Sequence, residues 1–209
     1  MIMREIDPKT TSRAKAFDLW MKATMPMVTM TKTFDITHLM RLSKRKGVKL
    51  NMLMCYAVVK AASSFKEFYM LPVGDKLMEF DHLAINTIVM TQEGGINTCD
   101  IPFSKDIHLF EADYLRITQQ ASQSKEDITL GDDYMVIGSS ALTKCELDSV
   151  VNVYAGFWNN PFVVWSKYRK GWFKTTLSLS FQFHHTQMDG PISTGFLNKL
   201  QEVIDTMEY

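Results

Sequence analysis

Near the C-terminus, one run of residues leaves the chain little conformational choice. Leu177, Leu179, Phe181 and Phe183 alternate with Ser178, Ser180 and Gln182, the period of a strand with one apolar face. That strand runs into His184-His185-Thr186-Gln187-Met188-Asp189-Gly190. The segment must turn, because the following Pro191 suits the first turn of a helix. Ile192, Phe196, Leu200, Val203, Ile204 and Met207 then form a helical apolar stripe. A one-faced strand and a one-striped helix bury both surfaces by laying helix against sheet.

The upstream chain supplies more of both elements. Ser12 to Ala23 reads as a helix capped by Ser12 that buries Ala16, Phe17, Leu19 and Trp20. Met27 to Phe34 is β-rich, and Asp35-Ile36-Thr37 opens a helix that closes at Lys44-Arg45-Lys46-Gly47. Asn51 caps a strongly apolar helix, Met52 to Phe68, expected to be buried on most sides. Ala84 to Thr91 reads as a strand, Glu93-Gly94-Gly95 as a turn and Ser104 to Ser122 as an amphipathic helix. After a polar loop, Ser122 to Asp133, come strand candidates at Tyr134 to Ser139, Val150 to Tyr154 and Phe162 to Tyr168. The turn Arg169-Lys170-Gly171 leads to the long final strand, Trp172 to His184. The fold class expected is α/β (α+β), a mixed, largely antiparallel β-sheet flanked by helices in a two-layer sandwich. No repeat, low-complexity tract or linker interrupts it, so residues 1–209 are expected to form a single domain.

Composition narrows the partners. Lys plus Arg and Asp plus Glu are equal at 23 each, so net charge points to neither nucleic acid nor an acidic surface. No apolar run approaches the ~20 residues of a membrane span, and Met1 to Thr11 lacks the apolar core of a signal peptide. Cys55, Cys99 and Cys145 are odd in number and far apart, which suggests neither a disulfide framework nor a zinc site and fits a reducing cytoplasm. Neither nucleic acid nor membrane is expected as a partner.

The chemistry lies in the histidine turn. Extending the strand's parity puts His185 on the apolar side and His184 on the polar side. Burial disfavours the imidazolium, and a neutral imidazole is what a general base requires. Asp189 sits where the chain turns into the helix. A hydrogen-bonded core histidine followed by an Asp N-cap accounts for the same residues. A shared metal fits poorly, because adjacent histidines on a strand point to opposite faces.

His-His-x-x-x-Asp-Gly at a strand end, about twenty residues before the C-terminus, resembles the signature of the chloramphenicol acetyltransferase family. Condensation domains, plant acyltransferases and 2-oxo-acid dehydrogenase acyltransferases carry the same or a related motif. Earlier segments favour the first family. Met30-Thr31 through Phe34-Asp35-Ile36-Thr37, then Leu42 through Lys46-Gly47-Val48-Lys49, are similar to its strand-helix unit, and Tyr56 and Phe65-Lys66-Glu67-Phe68 to its buried helix.

The resemblance implies an acetyl-CoA-dependent O-acetyltransferase acting on chloramphenicol or a similar small molecule, built as a homotrimer with active sites between subunits. It makes His185 the general base for direct attack of a hydroxyl on the thioester. Asp189 becomes a structural partner for Arg13 on the first helix. Ser139, or the adjacent Ser140, becomes the oxyanion donor. Trp20, Met27 and Val164 fall at substrate-contact positions, and Val164 stands where the family has a Thr, removing a polar contact. No glycine loop marks the site of CoA. The rival expectation is a trimeric binding protein with weak turnover.

Overall fold

A computed structural model describes residues 3–209. Among these, the elements run β1 (Arg4–Ile6), α1 (Ala14–Trp20), β2 (Met27–Asp35), α2 (Thr37–Lys46), α3 (Leu50–Ala62), β3 (Met70–Val73), β4 (Lys76–Glu79) and β5 (His82–Met90). They continue as β6 (Ile96–Pro102), α4 (Ile107–Gln123), β7 (Tyr134–Leu142), β8 (Phe162–Ser166), β9 (Arg169–Lys170), β10 (Thr175–His184) and α5 (Gly190–Thr206). The principal sheet has the order β2-β10-β8-β7-β5-β6, with β9 paired to the start of β10. β10 is antiparallel to β2 and β8, and β6 to β5, whereas β7 is parallel to both β8 and β5. The sheet is therefore mixed, as expected. A small sheet, β1-β4-β3, stands apart from it.

The apolar side of β10 makes the core. Phe181 and Phe196 of α5 lie 4.7 Å apart between ring centroids, and Phe68 joins them at 4.8 Å from Phe196. Each such side chain stabilises the fold by roughly 1.5–3 kcal/mol on burial. The helix α3 packs among α2, α4, α5 and the sheet, which is why nearly all its residues are apolar and buried. At the end of α2, Gly47 adopts φ 72°, the left-handed closure anticipated from its place after the basic run.

Several expectations need correcting. The helix α3 ends at Ala62, short of Phe68. Ser63 turns its hydroxyl back to the Lys60 carbonyl, and Lys66–Tyr69 forms a separate 3-10 turn. Asn51 does not cap α3; its amide donates to the Tyr114 hydroxyl at 3.0 Å. Helix α4 starts at Ile107 rather than Ser104, capped by Asp106, which accepts the His108 N–H at 2.8 Å. The helix α1 is shorter than predicted and buries none of its residues, with Leu19 largely exposed. Trp172 and Phe173 lie in the β9–β10 turn rather than in the last strand.

Val150 to Tyr154 is not a strand. It crosses the polar face of β10, donating Val150 N–H to Ser180 Oγ at 2.9 Å and accepting from Gln182 Nε2 at Asn152 O at 3.1 Å. Its backbone meets side chains instead of a ladder, while Val151 and Val153 face outward. Strands β1, β3, β4 and β6 carry no clean alternation and were not anticipated.

Candidate active site

The strand β10 ends at His184, so the pleat does not carry into the residues beyond it. His184 is the more buried of the pair, at 2% exposure, because the polar face of β10 is covered rather than solvated. Its Nδ1 accepts the Thr186 N–H at 3.1 Å, and burial, reinforced by His185 next door, pushes its imidazole down to about 4. The enclosed imidazole expected at His185 is thus found at His184, and His185 stands half-buried in the turn.

His185 is nonetheless held from all sides. Its N–H donates to the Pro26 carbonyl at 2.8 Å. Arg13, almost fully buried, reaches under the turn with three donors. Its Nη2 meets the His185 carbonyl at 2.8 Å, its Nε the Thr186 carbonyl at 2.8 Å and its Nη1 Asp189 Oδ2 at 2.9 Å. The Arg13–Asp189 pairing expected from the resemblance is present in the structure. It fixes the exit of the turn, because Asp189 is also the N-cap position of α5. Trp20 stacks on the imidazole with centroids 4.5 Å apart and planes within 7°. The Nδ1 of His185 is buried without a hydrogen-bond partner, which leaves Nε2 as the nitrogen an incoming group can reach. Gln187 ties the turn to the small sheet by donating Nε2 to the Met70 carbonyl at 2.7 Å.

Met27 lies directly opposite His184 in the β2–β10 ladder, beside the turn. The other candidates are elsewhere. Ser139, Val163 and Phe181 share one register row across β7, β8 and β10, and Ser140, Val164 and Ser180 share the next. His185 is four to five residues beyond those rows. At ~3.3 Å per residue and ~4.8 Å per strand, either serine is on the order of 16–19 Å from it. His185 and the two serines do not converge within one chain.

The two serines also face opposite ways. Ser139 points into the core and donates its one proton to the Asn86 carbonyl at 2.7 Å, leaving none for a ligand. Ser140 points to the opposite face, the side of Val164, which is itself buried. Ser140 heads a groove of about 530 Å³ whose walls include Ile88, Met90, Ala141 and Leu142. Gly138, just before the pair, is obligatory, because a Cβ there would sit 2.2 Å from the Phe162 ring. A second cleft, about 280 Å³, shares Thr143 with this groove and is lined by Asn51, Trp165, Lys167 and Tyr168. Asn51 Oδ1 is buried without a partner.

Pro26 and Gln187 escaped the sequence reading, and Asn51 was read only as a helix cap, because each acts on residues distant along the chain. Among the described residues no cluster of His, Cys, Asp or Glu is arranged to hold a metal, and no helix is long and apolar enough to cross a membrane.

Comparison with known proteins places this geometry. A family model described as chloramphenicol acetyltransferase matches residues 1–201. Chloramphenicol acetyltransferase 3 of Escherichia coli is 26% identical over 208 residues, covering 97% of each chain. A Clostridium perfringens chloramphenicol acetyltransferase is also 26% identical, covering 99% of this chain and all of its own. Among solved structures, a chloramphenicol acetyltransferase superposes with a TM-score of 0.85 at 19% identity, covering 97% of this chain and 100% of that one.

Proposed function

Since the chain belongs to the chloramphenicol acetyltransferase family, and is thereby an acyltransferase with acetyl-CoA as donor, we propose that it O-acetylates chloramphenicol or a similar amphipathic hydroxyl compound with His185 as general base. The observation that carries this is the Arg13 clamp. Three charge-assisted bonds hold the turn, and Trp20 holds the ring. A turn so constrained serves to orient one imidazole.

The reaction is direct. His185 Nε2 takes the acceptor's hydroxyl proton as its oxygen attacks the thioester carbonyl. The tetrahedral oxyanion then collapses, expelling the CoA thiolate, which receives the proton from the imidazolium. Products are the acetyl ester and free CoA thiol. The Trp20 face stabilises the transient imidazolium, a cation–π contact of about 1–2 kcal/mol.

For the oxyanion, the free hydroxyl of Ser140 is the better donor than Ser139, whose proton is committed to Asn86. Its distance from His185 in one chain supports a homotrimer in which one protomer's base faces its neighbour's Ser140 groove. The outward apolar residues Val151, Val153 and Phe157 are the kind of surface another copy covers. The cleft beside Thr143 suits the pantetheine arm. Its walls are mostly apolar, Asn51 Oδ1 lacks a donor, and Lys167 offers a cation for phosphate.

The acceptor end is less polar than expected for chloramphenicol turnover, since Val164 supplies no hydroxyl beside Ser140. Chloramphenicol is therefore the first acceptor to test, followed by less polar alcohols. Thiol release from acetyl-CoA, dependent on acceptor and abolished in His185→Ala, is the expected result. A trimer that binds chloramphenicol yet releases no thiol with any hydroxyl compound supports the binding-protein alternative instead.

A further inference from the structure

At the opposite end of β10 from His185, the β9–β10 turn carries Trp172 and Phe173 at 99% and 90% exposure. They are neighbours at the tip of a two-residue-deep hairpin, closed by Gly171 N–H on the Lys174 carbonyl at 2.7 Å. Scattered apolar residues on a surface need no explanation, but two adjacent aromatics held clear of the fold do.

Their surroundings are cationic. Lys170 and Lys174 flank the tip, and a cleft of about 280 Å³ beneath it is walled by Arg41 and Lys44 of α2. Arg45 and Lys46 continue the basic run at the end of the same helix. Acids at this edge are Asp35, 3.2 Å from Lys174 Nζ, and Asp148 and Glu146, which pair with Arg169 at the base of the hairpin. The chain as a whole is neutral, so composition hides what the fold collects on one edge.

We propose that this hairpin and the basic end of α2 dock the protein on an anionic phospholipid bilayer. Tryptophan settles at the level of lipid headgroups, where an apolar ring and a wet edge are both accommodated, and phenylalanine beside it buries its ring at the acyl boundary. Lysine and arginine around them meet the negative surface charge, each worth about a fivefold gain in partitioning. Nothing here spans the bilayer; the contact is peripheral, as for other surface-seated proteins that combine an apolar wedge with cations. The inference stands on the hairpin and the end of α2 and is independent of the proposed acyl transfer.

The test is co-sedimentation of the whole protein with vesicles of phosphatidylcholine alone and with about a third phosphatidylserine. Expected are binding to the anionic vesicles only, a fall at high salt and a blue shift in tryptophan emission. Trp172→Ser with Phe173→Ser should abolish the blue shift and most of the binding. Lys170→Glu with Lys174→Glu should weaken partitioning by roughly 25-fold or more. Neither pair touches the histidine turn, so the aromatic double should match the parent's unfolding midpoint, while the lysine double, which loses the exposed Lys174–Asp35 pair, should fall only slightly below it. Three results overturn the proposal: no sedimentation with anionic vesicles, equal binding by the variants, or equal binding to neutral vesicles. Retention on polyglutamate without vesicle binding also overturns it and assigns the patch to an acidic polypeptide.

Discussion

The turn that carries His185 and the strand row that carries Ser140 belong to one sheet and are finished in opposite ways. In the turn, Arg13, Pro26, His184 and Gln187 each hold a backbone group, through contacts that are nearly all long-range and nearly all buried. Around Ser140 the wall is an open apolar groove, and its neighbour Leu142 is exposed. In our reading His185 is a base, which must be oriented before substrate arrives, so the chain completes that half itself. The donor half faces outward, and in our reading another copy closes it.

The sharpest way to break this contrast is to damage each half separately. His185→Ala should cost a factor of ~10² to 10⁴ in turnover with the fold intact. Ser140→Ala should cost ~10² to 10³, and Ser139→Ala should leave the rate nearly unchanged while loosening the core around Asn86. Mixed trimers of His185→Ala and Ser140→Ala should recover about a quarter of wild-type sites, since each shared site draws one residue from each neighbour. No recovery on mixing, with both parents folded, would place both residues in one protomer's site and end the interfacial reading.

A second experiment separates the turn's two charged partners. Arg13 is buried and serves two carbonyls besides Asp189, whereas the Asp189 side chain is 43% exposed. Arg13→Ala should therefore destabilise by about 3 kcal/mol or more. Asp189→Asn, which keeps an acceptor and was half-solvated, should cost about 1 kcal/mol or less. Urea midpoints of both singles and the double measure the coupling. Equal losses from the two singles would mean that the carbonyl contacts contribute nothing.

The same contrast explains what could be read beforehand. Strand β10, helices α2 and α5 and the apolar α3 were legible because period and capping are local signals. The pairing of Arg13 with Asp189, 176 residues apart, came from resemblance and not from any pattern in the residues. The parity rule failed at His184 for a physical reason. It assumes that a strand's polar face meets water and that the pleat continues, and here Val150 to Asn152 covers the face while the strand stops. The choice between Ser139 and Ser140 was out of reach, because it depends on which face of β7 is packed against α3.

An effect smaller than that of Arg13→Ala belongs to His184, and it tests how closely the turn depends on a neutral ring. In the unfolded chain His184 titrates near its ordinary 6.5, and in the fold near 4. Between those values the unfolded state binds a proton that the native state does not, so stability rises with pH across the window and falls as pH drops through it. From pH 7.5 to pH 5 the loss from this one group is about 2 kcal/mol. Below about 4 the protonated Nδ1 becomes a donor facing the Thr186 N–H, another donor, and the turn that positions His185 loses a contact. His184→Asn offers an amide oxygen to the same N–H without titrating. The variant should be slightly less stable at neutral pH and should lose about 2 kcal/mol of the wild-type pH dependence, read from urea unfolding at pH 7.5 and 5. An unchanged slope in the variant would show that His184 does not face the Thr186 N–H as a neutral acceptor, and that Arg13 and Pro26 alone hold the turn.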